Sequence, residues 1–297
     1  MSTELEWARR VAIGCFGSEP RIEPISRLNH LVFRLHYPLD TKVLKLAKGS
    51  DSSTIRKELT LIDLVARQGI PAPSIEVADP DGSQLGRAFL VMRSAGEGTL
   101  ADRLGDGGTG SLPLFTEMGS VLARVHEIQF AGSGDIRPEG IVPFDAVAIR
   151  GDLDRLSAWA AARGFLRPAE AERFQDLPTP SLEGARLCHR DFHAVQCVER
   201  AGRIAAVVDW ESAWSSNPLI DLAITHAYLD FYCPAPLKAG FFEGYAATRP
   251  IPPDYDSASL PVRMAHALGM MRAWDAQGHL GNIPRTVEIY RAYLGAI

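Results

Sequence analysis

Apolar and polar positions along this chain follow a short-strand pattern in the first third and a helical spacing after it. Leu31-Val-Phe-Arg-Leu35 and Lys42-Val-Leu-Lys-Leu46 are brief runs suited to strands, and His36–Thr41 between them suits a hairpin loop. Ser52 or Ser53 can cap a helix whose apolar face is Ile55, Leu59, Ile62 and Ala66, ending near Gly69 before Pro71 and Pro73. Two further strands are predicted at 74–78 and 88–92, around the turn Asp79-Pro-Asp-Gly82. Beyond Gly96 the apolar residues recur at helical spacing over 114–128, 153–163 and 168–174, with loops at 132–143 and 177–183. A small hairpin follows: a strand at 195–198, a turn at 199–202, and a strand ending at Val208. Helices are predicted at 222–231, 237–247, 260–277 and 285–294. The pattern predicts a small β-rich lobe over residues 1–95, a linker near 93–98, and a larger, mainly helical lobe over 96–297, without internal repeats.

Composition narrows the setting. With 297 residues, 46% of them hydrophobic, the chain can bury a sizeable core as one large domain or two modest ones. No apolar run approaches the roughly 20 residues that span a bilayer. Residues Met1–Trp7 carry two glutamates and lack a basic start followed by an apolar block, so no signal peptide is expected. Four cysteines without a CxxC pair make no disulfide framework, and a reducing cytoplasm fits best. The net charge of −5 comes with no Lys/Arg block, so nucleic acid is not an expected partner. Nothing in the sequence sets the oligomeric state.

The segment Leu187–Ala213 carries the chemistry. It places Asp191 and Asp209 eighteen residues apart, with Gln196 between them. Asp209 follows the apolar run Ile204–Val208, and a carboxylate at the end of a buried strand needs a cation or hydrogen-bond donors. Two such carboxylates suit magnesium-dependent phosphoryl transfer, one receiving a hydroxyl proton and the other holding the metal. Taken singly, Asp191 also fits a loop carboxylate and Asp209 a cap on the segment after it. His189 and His193 lack the adjacent Glu and helical context of a zinc hydrolase. Gly105–Gly110 fits GxGxxG but has no strand before it, and reads as a loop. Trp214, Tyr228, Phe231, Tyr232 and Trp274 are open between core and the lining of an acceptor pocket.

The segment His189-Arg-Asp-Phe-His193, Gln196 and Val207-Val-Asp-Trp-Glu211 resembles the core of the aminoglycoside phosphotransferase and choline kinase superfamily. That resemblance implies an α+β, two-lobed protein-kinase-like fold and a magnesium-dependent kinase that uses ATP, or GTP, on a small-molecule hydroxyl. It further implies that Asp191 is the catalytic base, that Asp209 and Gln196 are metal ligands, and that Asp221 is a structural carboxylate. Glu211 matches the Asp-Trp-Glu common in bacterial members. Lys45 stands where the family places a lysine against the nucleotide phosphates, and Glu58 where it places the partner of that lysine. Lys42 competes with Lys45, but Lys45 is flanked by leucines and fits the strand interior better. Ser26–His30 would cover the phosphates, and backbone groups of Arg93 and Ala95 would meet the adenine edge. His126 reads as packed rather than catalytic. Two positions depart from the family: Arg190 replaces its usual Gly, and Gln196 its Asn. The extra methylene of Gln196 favours a competing reading, a nucleotide-binding protein with weak or no catalysis. The acceptor, whether an aminoglycoside or another antibiotic, choline, homoserine or a sugar, is not legible.

Overall fold

In the computed structural model of the protein, which describes residues 3–26, 30–49, 52–106 and 109–297, the chain divides into two units. The first comprises Met1–Asp102, Arg137–Gly140 and Val195–Glu211, and the second Arg103–Ile136, Ile141–Ala194 and Ser212–Ile297. Residues 27–29 of the segment expected over the phosphates, and 107–108 of the glycine-rich loop, lie outside the described residues. No helix among the described residues is long and apolar enough to cross a membrane.

The first unit is built on a five-stranded antiparallel sheet, in the order Arg21–Ser26, His30–His36, Thr41–Ala47, Phe89–Arg93, Ile75–Asp79. Successive side chains of a strand face opposite sides. Leu44 and Leu46 therefore join Phe33, Leu35, Phe89 and Val91 under the helix Thr3–Phe16. Ala47 and Leu90 pack on the other side with Ile55, from the helix Ser53–Arg67. Lys45 falls on this second side and Lys42 on the first, which separates the two candidate lysines by sheet face alone. Lys42 Nζ lies 2.5 Å from Asp40 and 2.5 Å from Glu76, over the rings of Phe16 and Tyr37.

The helix Ser53–Arg67 buries Ile55, Glu58, Leu61, Ile62 and Val65. Its inward stripe is rotated from the expected one, with Val65 buried and Ala66 exposed, because Glu58 is drawn inward. The strands Cys197–Arg200 and Arg203–Val207 form the predicted hairpin, turning at Ala201 and Gly202, both with positive φ (53° and 76°). Two consecutive left-handed residues match the right-handed twist of the strands they join. Val198 also pairs with Thr99, and the Val207 amide donates to the Pro71 carbonyl at 2.9 Å. Gly96 lets the 93–98 segment pass against this hairpin, since a Cβ there would overlap the Glu199 carbonyl oxygen.

The second unit is mainly helical: Leu112–Val125, Ala146–Ala162, Pro168–Gln175, Pro218–Tyr232, Ala235–Thr248, Tyr255–Gln277 and Ile283–Gly295. Its core includes Phe174, Met264, Leu268, Met271 and Tyr290. Three outcomes differ from the periodicity. The helix Thr3–Phe16 escapes it because only Ala8, Val11 and Ala12 are buried, two of them too small to mark a stripe. The helix expected from 260 begins at Tyr255, with Pro261 inside it, so proline did not mark the boundary. The 132–143 loop holds the short strands Gly134–Arg137 and Gly140–Val142.

Candidate functional site

Lys45 is the hub of a buried charge cluster in the first unit. Its Nζ lies 2.6 Å from Glu58 Oε2, 2.5 Å from Asp209 Oδ1 and 2.7 Å from Glu211 Oε2. Burial by itself would lower the lysine pKa. The three carboxylates outweigh it and raise that pKa, so the ammonium stays charged. Burial raises Glu58 against the pull of Lys45. At Glu211 burial is again opposed, here by His30 and Lys45, which together hold the carboxyl well below the usual range. His30 opens the strand His30–His36, with Nδ1 2.6 Å from Glu211 and Nε2 2.9 Å from the Thr54 hydroxyl. No spacing rule links His30 to Glu211, so sequence reasoning missed it.

Asp209 reaches Lys45 through an uncommon backbone. Its φ is 70°, left-handed for a residue with a Cβ, although Asp tolerates this better than most. The fully buried Trp210 anchors the following turn by donating Nε1–H to the Val207 carbonyl at 3.0 Å. Gln196 Nε2 donates to the second Asp209 oxygen at 3.3 Å, and the Gln196 carbonyl accepts the Val208 amide at 3.0 Å. Glu58, Asp209 and Glu211 offer carboxylate oxygens within 4.8 Å of one another. One ammonium against three carboxylates leaves excess negative charge, and hard oxygen donors are what magnesium takes. The donor set therefore fits a divalent cation. Lys45, Glu58, Asp209 and Gln196 thus come together, with Glu211 and His30 added.

Arg93 and Ala95 lie in the same unit. The Arg93 amide donates to the Ser74 carbonyl at 2.9 Å, and its Nε to Glu76 at 3.0 Å. Ala95 follows Ser94, whose hydroxyl donates to the Gly96 carbonyl at 2.8 Å.

Asp191 belongs to the second unit. The fully buried Asp221 carboxylate accepts the His189 and Arg190 amides at 2.6 and 2.7 Å, which fixes the loop just ahead of Asp191. Burial would raise the Asp221 carboxyl, but His126 and its other donors outweigh it and lower the pKa. His126 is fully buried, 3.1 Å from Asp221 and 2.8 Å from the Tyr245 hydroxyl. Arg190 has φ 68°, and its guanidinium lies 3.2 Å from the centre of the Trp214 ring, burial lowering its pKa to about 10. Trp214 itself pairs with Asp135 on one side and Cys188 on the other. The Asp191 carboxylate accepts the Tyr228 hydroxyl at 2.6 Å and lies 3.7 Å from His193 Nε2.

The sequence profile of the phosphotransferase enzyme family matches residues 21–260. The chain belongs to that family. Among solved structures, this phosphotransferase resembles aminoglycoside phosphotransferase APH(4)-Ia, in a thermostable mutant's ternary complex with AMP-PNP and hygromycin B. The TM-score is 0.68 at 17% identity, over 96% of this chain and 97% of that one. It also resembles the macrolide 2'-phosphotransferase MphH of Brachybacterium faecium, with TM-score 0.61 and 17% identity over 94% and 96% of the two chains. These likenesses establish the two-lobed, kinase-like α+β fold expected from the sequence. A curated relative, acyl-CoA dehydrogenase family member 10 of Mus musculus, is 26% identical over 209 residues, 63% of this chain. The match spans only 18% of that protein's length.

Proposed function

We propose that the protein transfers the γ-phosphoryl group of ATP, or GTP, to a hydroxyl of a small molecule in the cytoplasm, with magnesium as cofactor. The observation that carries this reading is Lys45, buried and in contact with both Glu58 and Asp209. An ammonium held by a helix glutamate is aimed for phosphate oxygens, and the Asp209 carboxylate beside it is suited to a metal on the same phosphates. Magnesium, when bound, would neutralise charge on the phosphate oxygens; Asp209 would hold it, with the amide oxygen of Gln196 after that amide turns over. Backbone groups of Arg93 and Ala95 receive the adenine edge in this reading, the Arg93 amide being already spent on Ser74. Asp191 takes the proton of the acceptor hydroxyl as its oxygen bonds to the γ-phosphorus and the bond to the β-phosphate oxygen breaks. Preorganised charge and position supply most of the rate in such a transfer. The aminoglycoside and macrolide phosphotransferases that share the fold make an antibiotic hydroxyl the first acceptor class to try.

A nucleotide-binding protein with weak or no catalysis is the second reading, favoured by the Gln196 amide nitrogen that faces Asp209. Both are tested by assaying magnesium-dependent nucleotide turnover against a panel of antibiotics and metabolites. Wild type should turn over at least one acceptor, and Asp191→Ala should lose about 100-fold or more. Gln196→Asn, which restores the shorter amide, should lower the magnesium concentration needed for half-maximal rate. Nucleotide binding with no turnover on any acceptor would leave only the non-catalytic reading.

A further inference from the structure

The aromatic residues left open by the sequence between core and acceptor pocket are not equivalent once placed. Phe231 packs with Trp274 at 6.1 Å between ring centres, as a core residue does. Tyr228 has a different environment. Its hydroxyl donates to Asp191 Oδ1 at 2.6 Å, and its ring is held on two sides. His193 stacks on it at 4.1 Å and 25°, and His266 meets it edge-on at 4.4 Å and 67°. The hydrogen bond and the two ring contacts involve the Asp191 loop and the helix Tyr255–Gln277. Turning the ring about either side-chain torsion would break at least one of them.

Tyr228 is also the last member of a row. Asp221, Thr225 and Tyr228 stand at i, i+4 and i+7 on the helix Pro218–Tyr232, and therefore on one face. Each holds a different part of one loop. Asp221 accepts the His189 and Arg190 amides, and the Thr225 hydroxyl donates to the Phe192 carbonyl at 2.9 Å. Tyr228 holds the one side chain in that loop to which the phosphotransferase reading gives chemistry. The first two members fix backbone; the third fixes a functional group.

We propose that Tyr228 is a positioning residue for phosphoryl transfer, its hydroxyl fixing the plane of the Asp191 carboxylate so that the second oxygen is aimed at the acceptor hydroxyl. The proposal rests on the reading of Asp191 as the base. A carboxylate can turn about its last torsion, and a charge-assisted hydrogen bond from a rigidly held phenol restricts that freedom. Oδ2 then takes the acceptor proton while the acceptor oxygen bonds to phosphorus and the bond to the β-phosphate oxygen breaks. Tyr228 keeps its own proton throughout.

The test uses the full chain with MgATP and water as acceptor, so that no acceptor need be known. Tyr228→Phe retains the ring and both its ring contacts and removes only the hydroxyl. Its kcat for phosphate release should fall about tenfold, the order expected for a misaligned base. KM for MgATP and the thermal midpoint should stay at wild-type values. Asp191→Asn should fall about 100-fold or more. Independently of turnover, tyrosine labelled with 13C at Cζ reports the hydrogen bond, and the Tyr228 signal is the one missing from Tyr228→Phe. That signal should shift in Asp191→Asn, where a neutral amide replaces the carboxylate.

Wild-type kcat in Tyr228→Phe, or a Cζ signal unmoved by Asp191→Asn, overturns the proposal and leaves the base reading standing. A fall in kcat matched by a lowered thermal midpoint also overturns it, since a purely structural tyrosine would behave that way. Wild-type turnover in Asp191→Asn, or no turnover by the wild type on water or on any acceptor of the panel, removes the base reading and the proposal with it.

Discussion

Lys45 shows what a single residue holds in place. Three carboxylates meet on its ammonium, and only the positive charge makes their proximity tolerable. Replacing Lys45 with Met preserves the stem and removes the charge. Breaking a buried ion pair from one side costs about 3 kcal/mol, because the partners are left uncompensated. The sign with pH follows from the shifts. The Lys45 pKa is raised above its ordinary 10.5, so the wild-type contribution is fully present at neutral pH and fades only well into alkali. In Lys45→Met the buried carboxylates relieve their repulsion by taking protons above their ordinary range, so the deficit should shrink as pH falls from neutral toward about 4.5, the ordinary Glu value. Urea unfolding at pH 7 and pH 4 checks this, and an equal deficit at both would show that the charges are not what the lysine holds. At this scale the sequence was legible for residues tied to a strand end or a helix stripe. Asp209 and Lys45 are of that kind, while His30 and Tyr228 are not. Both meet their partners across distances in the chain that no local period encodes.

Elements were legible where the period was strong and contacts were local. The strand Thr41–Ala47 and the hairpin Cys197–Val207 follow directly from alternation and turn chemistry. The helix Ser53–Arg67 was placed correctly but rotated, because an apolar count leaves out Glu58, a charged residue drawn inward by Lys45. Close helix crossings leave even less trace in a sequence. Gly244, on the helix Ala235–Thr248, would drive a Cβ into the Thr116 carbonyl oxygen of the helix Leu112–Val125. Gly269, inside the helix Tyr255–Gln277, has nothing within 4 Å of the same position. The two glycines should therefore respond oppositely to alanine. Gly244→Ala should lose about 2 kcal/mol through overpacking against backbone. Gly269→Ala should gain about 0.5–1 kcal/mol, the ordinary helix preference for alanine. Chemical denaturation of both variants tests the pair, and a neutral Gly244→Ala would mean the two helices can part without cost.

For the whole molecule, the charge cluster makes stability depend on ligands. The Lys45 cluster draws on residues from 30 to 211 in the chain, yet all of them belong to the first unit. A ligand bound there should stabilise the native state by mass action, by about 2.7 kcal/mol at a hundredfold its Kd. Excess negative charge around Lys45 sets the order of events: the nucleotide alone brings more negative charge, and magnesium offsets it. The non-hydrolysable analogue AMP-PNP should therefore raise the thermal midpoint strongly with magnesium and weakly in EDTA. Asp209→Asn keeps the shape of the side chain and removes the ligand charge, so it should abolish most of the magnesium-dependent part. Lys45→Met should weaken the shift in both conditions, because on the proposed reading phosphate oxygens lose their ammonium whether or not the metal is present. Scanning calorimetry of the three proteins, with and without magnesium, separates these outcomes without any knowledge of the acceptor. An Asp209→Asn protein whose midpoint still rises with magnesium as the wild type does would move the metal to other carboxylates. Among the described residues, Glu211 and Glu58 are within reach.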